Sequence, residues 1–172
     1  MTSVRLVSLT HEYEKHLHEM MDEWTATDEK IIPYAIRRVD YHDFEAYLRA
    51  FEEDANPKAG RVPQTTFFLL DEERDIFLGA VNIRHYLNEA LLLNGGHIGD
   101  GIRPSERRRG YATAMIALAL EECRKLGIDR ALMVCNKNNI ASAKSIIRNG
   151  GVLENEVEVD GEIEQRYWLE IL

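Results

Sequence analysis

The stretch Gly99-Asp-Gly-Ile-Arg-Pro-Ser-Glu-Arg-Arg-Arg-Gly-Tyr-Ala-Thr113 constrains the fold more than any other. Its first residues are β-like but broken by Gly99 and Gly101, and glycines inside a strand mark a bulge or a close backbone approach by a ligand. After Gly110, the residues Met115, Leu118, Ala119, Cys123 and Leu126 recur at helical spacing. The chain therefore passes from strand through a basic turn into the start of a long helix. A helix N-terminus presents unpaired N–H groups at the positive end of its dipole, so it accepts phosphates. Gly110 and Ala112 leave room for an anion, and Arg103, Arg107, Arg108 and Arg109 add charge-assisted hydrogen bonds. The physical reading is a pyrophosphate site. The plainer alternative is a solvated helix-entry turn.

The rest of the chain supplies an alternating set of elements. Val4 to Leu9 reads as a short strand, Glu12 to Ala26 as a helix, and Tyr41 to Glu53 as a second helix with Asp40 as N-cap. Ile31 to Tyr34 is a stiff apolar connection, and Asn56 to Pro63 has loop chemistry. Thr65 to Leu70 and Ile76 to Arg84 form a hairpin, followed by the β-like Gly95 to Ile102. Gly110 to Leu126 is the clearest helix, with Glu121 placed to pair with Lys125 and Gly127 as its stop. Arg130 to Cys135 is a strand and Asn139 to Asn149 a helix. A final hairpin joins Val152–Val159 to Ile163–Leu169 through Asp160-Gly161. The order is β-α-α-β-β-β-α-β-α-β-β, an α/β (α+β) domain around one mostly antiparallel sheet, with no linker or repeat over residues 1–172.

The 172 residues carry 30 acidic and 21 basic side chains, a net charge of −9. That balance argues against nucleic acid as the main partner, since phosphate backbones reward a basic surface. No apolar run approaches the ~18 residues of a membrane span, and the N-terminus is charged too soon for a signal peptide. A soluble cytoplasmic protein is expected. Cys123 and Cys135 lie in apolar runs and read as buried reduced thiols. His11, His16 and His18 do not stack on one helix face as a metal pair would, so no metal site is expected.

Two common phosphate motifs fail. No Gly-x-x-x-x-Gly-Lys-Ser/Thr occurs, and Pro104 stands where a Gly-x-Gly-x-x-Gly run from Gly99 needs its third glycine. Arg107-Arg-Arg-Gly110-Tyr-Ala112 does match Arg/Gln-x-x-Gly-x-Gly/Ala, between a strand and a long helix. With Gly127 to Cys135 and the Asn139-x-x-Ser142 segment ending at Gly150-Gly151, the chain resembles the GCN5-related N-acetyltransferases (GNAT) over nearly its whole length. Gly95 to Ala112 also looks like a poorly characterised bacterial branch of predicted acetyltransferases. The resemblance implies a mixed, mostly antiparallel sheet of about seven strands flanked by about four helices. It also implies acetyl-CoA as co-substrate and a small-molecule or peptide amine as acceptor, and it suggests a homodimer. Carried over, the backbone from Arg107 to Thr113 (Arg107, Arg108, Arg109, Gly110, Tyr111, Ala112, Thr113) holds the coenzyme's pyrophosphate. The strand ending at Ile102 and Arg103 pairs with the pantetheine arm, and Asn139 and Ser142 lie beside that arm. The region of Trp24, Tyr34 and Tyr41 shapes the acceptor side. One departure stands out: Ile146 occupies the place, four residues before Gly150, where many members carry an acidic tyrosine.

Direct transfer sets an amine against a thioester. A lysine-like amine has a pKa of ~10.4, so deprotonation at pH 7 costs about 4.6 kcal/mol, whereas a thiol of pKa ~8.5 leaves as thiolate for about 2 kcal/mol. A base thus matters more than an acid, and losing the tyrosine is compatible with activity. The bases expected on the strands beside the cleft are His97, Asp100, His85 and Glu89. Ideal alternation puts His97 and Asp100 on opposite faces. Each has a purely structural alternative, and a non-catalytic acyl-CoA-binding module on the same fold is the second reading of the whole chain. A third is a protein-interaction domain whose arginines meet an acidic partner.

Overall fold

The computed structural model describes residues 3–171; Met1, Thr2 and Leu172, which the single-domain reading includes, lie outside the described residues. Strands β1 (Val4–Val7), β2 (Gln64–Asp71), β3 (Ile76–Arg84) and β4 (Ile98–Ile102) lie side by side in that order, every neighbouring pair antiparallel. A second antiparallel sheet contains β5 (Arg130–Asn136), β6 (Val152–Val159) and β7 (Glu162–Glu170), with β7 in the middle. The expected element order holds, but the one expected sheet is split in two.

The helices α1 (Glu14–Thr25), α3 (Phe44–Glu53), α5 (Tyr111–Lys125) and α6 (Ile140–Arg148) are the four that periodicity indicates. Two one-turn pieces, α2 (Tyr34–Arg37) and α4 (Glu89–Leu93), are additions. Helix α3 is capped by Asp43, which accepts from the Ala46 N–H at 3.2 Å, and not by Asp40, whose carboxylate holds His42. In α5, Lys125 pairs with Glu122 at 3.0 Å in place of Glu121, and Leu126 is exposed past the end of the stripe. No helix among the described residues is long and apolar enough to cross a membrane.

Alternation along the first sheet feeds two cores. Phe68, Leu70, Phe77 and Ala80 pack under α1 and α3 against Leu17, Met20, Trp24 and Tyr47. Val81, Ile83, Ile98 and Ile102 pack against Met115, Ile116 and Ala119 of α5, and the same core continues into Met133, Tyr167 and Leu169 of the second sheet.

The sheets are joined at a narrow junction. Gly96 bridges to Met133, and the His97 N–H donates to the Leu132 carbonyl at 2.8 Å. The Leu132 N–H in turn donates to His97 Nδ1 at 2.9 Å, while Arg84 Nη1 donates to the Gly95 and Gly96 carbonyls, both at 3.0 Å. Beyond it, no ladder among the described residues joins β4 to β5. One edge of β4 is therefore left without a strand partner.

Candidate active site

A cavity of about 760 Å³ lies at this seam. Its walls come from β4, the turn into α5, the exposed face of α6 and the loop after α1. At one end is the start of α5. Gly110 caps the helix with φ 84°, Arg108 just before it has φ 65°, and no acidic residue occupies the first turn. Left-handed backbone at a residue such as Arg108 costs roughly 1–2 kcal/mol and is kept where the turn must aim its groups. A first helical turn has no i−4 carbonyls for its N–H groups, and Gly110 offers no side-chain cap. An anion fits that arrangement.

The charges agree. Arg108, Lys144 and Arg148 line the cavity without an ion-pair partner among the described residues. Glu106, a buried carboxylate at the same wall, is neutralised by Arg74 and by Arg109 at 3.6 Å. Asp71 holds Arg74 in turn at 2.7 Å. The wall therefore presents positive charge to the cavity although the chain is acidic overall.

The cavity also reaches Asp100 on β4. This half-buried carboxyl has no hydrogen-bond or ion-pair partner among the described residues, and burial pushes it up to about 6. Strand β4 pairs with β3 without a bulge, so Asp100 shares a face with Ile98 and Ile102. Gly99 and Gly101 turn the other way. A Cβ at Gly101 would lie 2.1 Å from the Ile32 carbonyl oxygen. The close approach that requires glycine there is made by the protein's own loop, a correction to the ligand expected from the sequence. Near Asp100, Cys135 is buried, bonded by the Ser142 side chain and pushed up to about 11 by burial, which makes it a poor nucleophile.

The model of the GNAT acetyltransferase domain matches residues 4–152. The chain belongs to the GNAT acetyltransferase family. Solved GNAT-like structures share its fold from end to end. The microcin self-immunity acetyltransferase MccE, solved with acetyl-CoA and AMP, aligns at TM-score 0.71 and 18% identity over 98% of this chain and 92% of its own. RimL, an alpha-N-protein acetyltransferase of a ribosomal protein solved with coenzyme A, gives 0.70 and 16% over 99% and 96%. A chimera of the Vibrio cholerae spermidine N-acetyltransferase SpeG and hSSAT gives 0.64 and 15% over 97% and 95%. A comparison with curated proteins returns no match.

Within this GNAT fold the residues expected from sequence divide sharply. Ile102, Arg107, Arg108, Gly110, Tyr111, Ala112, Thr113, Asn139 and Ser142 all line the cavity. Asn139 does so with its side-chain oxygen committed to capping α6, accepting from the Ser142 N–H at 3.1 Å. Arg103 does not line it: buried, it donates to Glu23 at 2.8 Å and to the Phe77 carbonyl at 2.9 Å. Arg109 is exposed and turned to Glu106. Of the four expected bases, only Asp100 is at the cavity. His97 is the buried sheet junction, held below its ordinary pKa by burial and then by the Arg84 charge. His85 Nε2 lies 2.7 Å from the Thr65 hydroxyl, and Glu89 is exposed in the first turn of α4. Trp24 and Tyr41 are buried, whereas Tyr34 is exposed. His11, His16 and His18 engage Glu45, Asp75 and the Tyr41 carbonyl.

Sequence reasoning missed Lys144, Ser145 and Arg148 on α6, and Glu29, Lys30 and Ile32 after α1. Lys144 and Arg148 are one helical turn apart, so their i, i+4 spacing could have revealed a basic stripe. Nothing local marks the loop residues.

Proposed function

We propose that the protein is an acetyl-CoA-dependent N-acetyltransferase that moves an acetyl group to a primary amine of a small molecule or peptide by direct attack. The observation that carries this reading is one cavity shared by an unneutralised cationic cradle and a partnerless carboxyl. The cradle suits the coenzyme's phosphates: Arg108, Lys144 and Arg148 supply charge, and the Gly110–Thr113 backbone supplies N–H donors. The unpaired edge of β4 suits an amide-bearing arm, because a free strand edge offers both donors and acceptors. The thioester supplies the acyl group, and the thiol is its leaving group.

Asp100 is assigned as the general base. Raised to about 6, it is a stronger base than an ordinary carboxylate yet still mostly ionised at pH 7. It takes a proton from the amine nitrogen as the N–C bond forms. Ile146 is fully buried and supplies no acid, but thiolate departure costs only about 2 kcal/mol at pH 7.

Calorimetric titration with acetyl-CoA, followed by thiol release across a panel of primary amines, tests the reading. Saturable binding and amine-dependent release of free thiol are expected. Absence of binding at millimolar acetyl-CoA refutes it. Stoichiometric coenzyme binding with no thiol release from any amine would favour the non-catalytic acyl-CoA module that the missing tyrosine also suits.

A further inference from the structure

Among the described cations lining the cavity, Arg107 is the one that already holds an anion. Its Nη1 lies 2.9 and 2.8 Å from the two carboxylate oxygens of Glu29. Its Nε donates to the Ile102 carbonyl at 3.1 Å, and its guanidinium carbon sits 5.8 Å from the Trp24 ring centroid. Glu29 belongs to the loop between α1 and α2, which also brings Lys30 and Ile32 to the cavity and lays the Ile32 carbonyl against Gly101. One end of the loop is thus seated on β4 and the other is latched to the basic turn.

We propose that Glu29 is a built-in competitor for the anionic cofactor at Arg107. Resting on the acetyl-CoA reading above, it makes cofactor binding and loop position two sides of one equilibrium. A coenzyme phosphate reaching Arg107 takes the place of the Glu29 carboxylate, and residues 27–33 lose their latch at that end. By linkage, whatever releases the loop strengthens cofactor binding by the same factor. Glu29 is a positioning residue in this scheme, touching neither reacting atom. It would let an enzyme without cofactor hold the loop down and free it once cofactor arrives.

The pair is half exposed at both partners, so its strength is that of a surface ion pair, corresponding to about 1.4- to 5-fold in an equilibrium constant. The test is titration of coenzyme A into the wild type and Glu29→Gln, with hydrogen exchange of residues 27–33 measured with and without coenzyme A. Glu29→Gln should bind about 1.4- to 5-fold more tightly, and coenzyme A should speed exchange of that segment in the wild type. A clamp that only shapes the site would give the opposite: equal or weaker binding by Glu29→Gln and slower or unchanged exchange with ligand. That result overturns the latch while leaving the proposed function intact. Failure of the wild type itself to bind coenzyme A overturns both, and Lys144→Ala, expected to weaken binding, shows that the assay reads the phosphate end.

Discussion

Replacing Asp100 by Asn separates the cost of this carboxyl from its use. The folded protein holds Asp100 at about 6 against an ordinary 3.8, a displacement of about 2 pH units caused by burial without a partner. At 1.36 kcal/mol per unit this is about 3 kcal/mol at most, since the cavity admits water. Between pH 3.8 and about 6 the unfolded chain has lost this proton while the folded protein keeps it, so stability falls as pH rises through that window. Below it the carboxyl costs nothing, and above it the full cost is present. Asp100→Asn does not titrate. It should match the wild type near pH 3.5 and exceed it increasingly up to pH 7–8, by up to about 3 kcal/mol or roughly 6–12 °C in Tm. The assay is urea or thermal unfolding of both proteins from pH 3.5 to 8, with thiol release measured in parallel. A gain in stability together with loss of turnover is the mark of a group kept for chemistry. Equal stability at every pH, or a less stable variant at pH 8, would refute the reasoning. Wild-type turnover should also rise with pH through about 6 as Asp100 ionises.

Gly101→Ala should be destabilised by about 1–3 kcal/mol, because its Cβ would lie 2.1 Å from the Ile32 carbonyl, while Gly99→Ala, 3.4 Å from Pro33 Cβ, should be close to neutral; denaturant melts of the two compare them directly. His97→Ala leaves the buried Leu132 N–H without its acceptor and should cost about 1–3 kcal/mol. Because burial and the Arg84 charge hold His97 below its ordinary 6.5, its stabilising effect is complete above pH 6.5 and is lost as pH falls through its lower folded value; unfolding curves of the variant should lack that acid-side loss. Lys144→Ala and Arg148→Ala should each weaken coenzyme A binding and reduce its salt dependence, as read by calorimetry at two ionic strengths, because screened phosphate contacts are what they remove.

The long elements were legible because their apolar spacing is regular over two or more turns or several strand residues. The α2 and α4 pieces, of 4 and 5 residues, are too short to show a period. The split of the sheet was not legible either, since alternation tells a strand which face is buried and nothing about its neighbour. At the site, the helix start at Gly110 was readable from local sequence, because its chemistry is that of a single turn. Arg103 misled for the same reason. It is adjacent to the cradle in sequence, but Glu23 claims it from 80 residues away. His97 misled because a histidine beside a glycine-rich strand looks available, whereas Leu132, 35 residues on, already occupies it. Glu29 carried no local signal, since its partner Arg107 is 78 residues distant.

The arginine-rich turn therefore has a different job from the one its composition suggests. Glu23 binds Arg103, Glu29 binds Arg107, and Glu106 binds Arg109. Three of the turn's four arginines are thus tied to acids from α1, the following loop and the turn itself, and they fix its path across β4. Among the described residues Arg108 is the turn's one arginine without an ion pair, α6 adds the unpaired Lys144 and Arg148 from the facing side, and the loop after α1 adds Lys30. A surplus of acids is what such a frame needs, because each structural arginine must be neutralised if the remaining cations are to define where an anion binds. The overall negative charge and the local positive site are then consequences of one design, in which the site's field comes from those cations left unmatched.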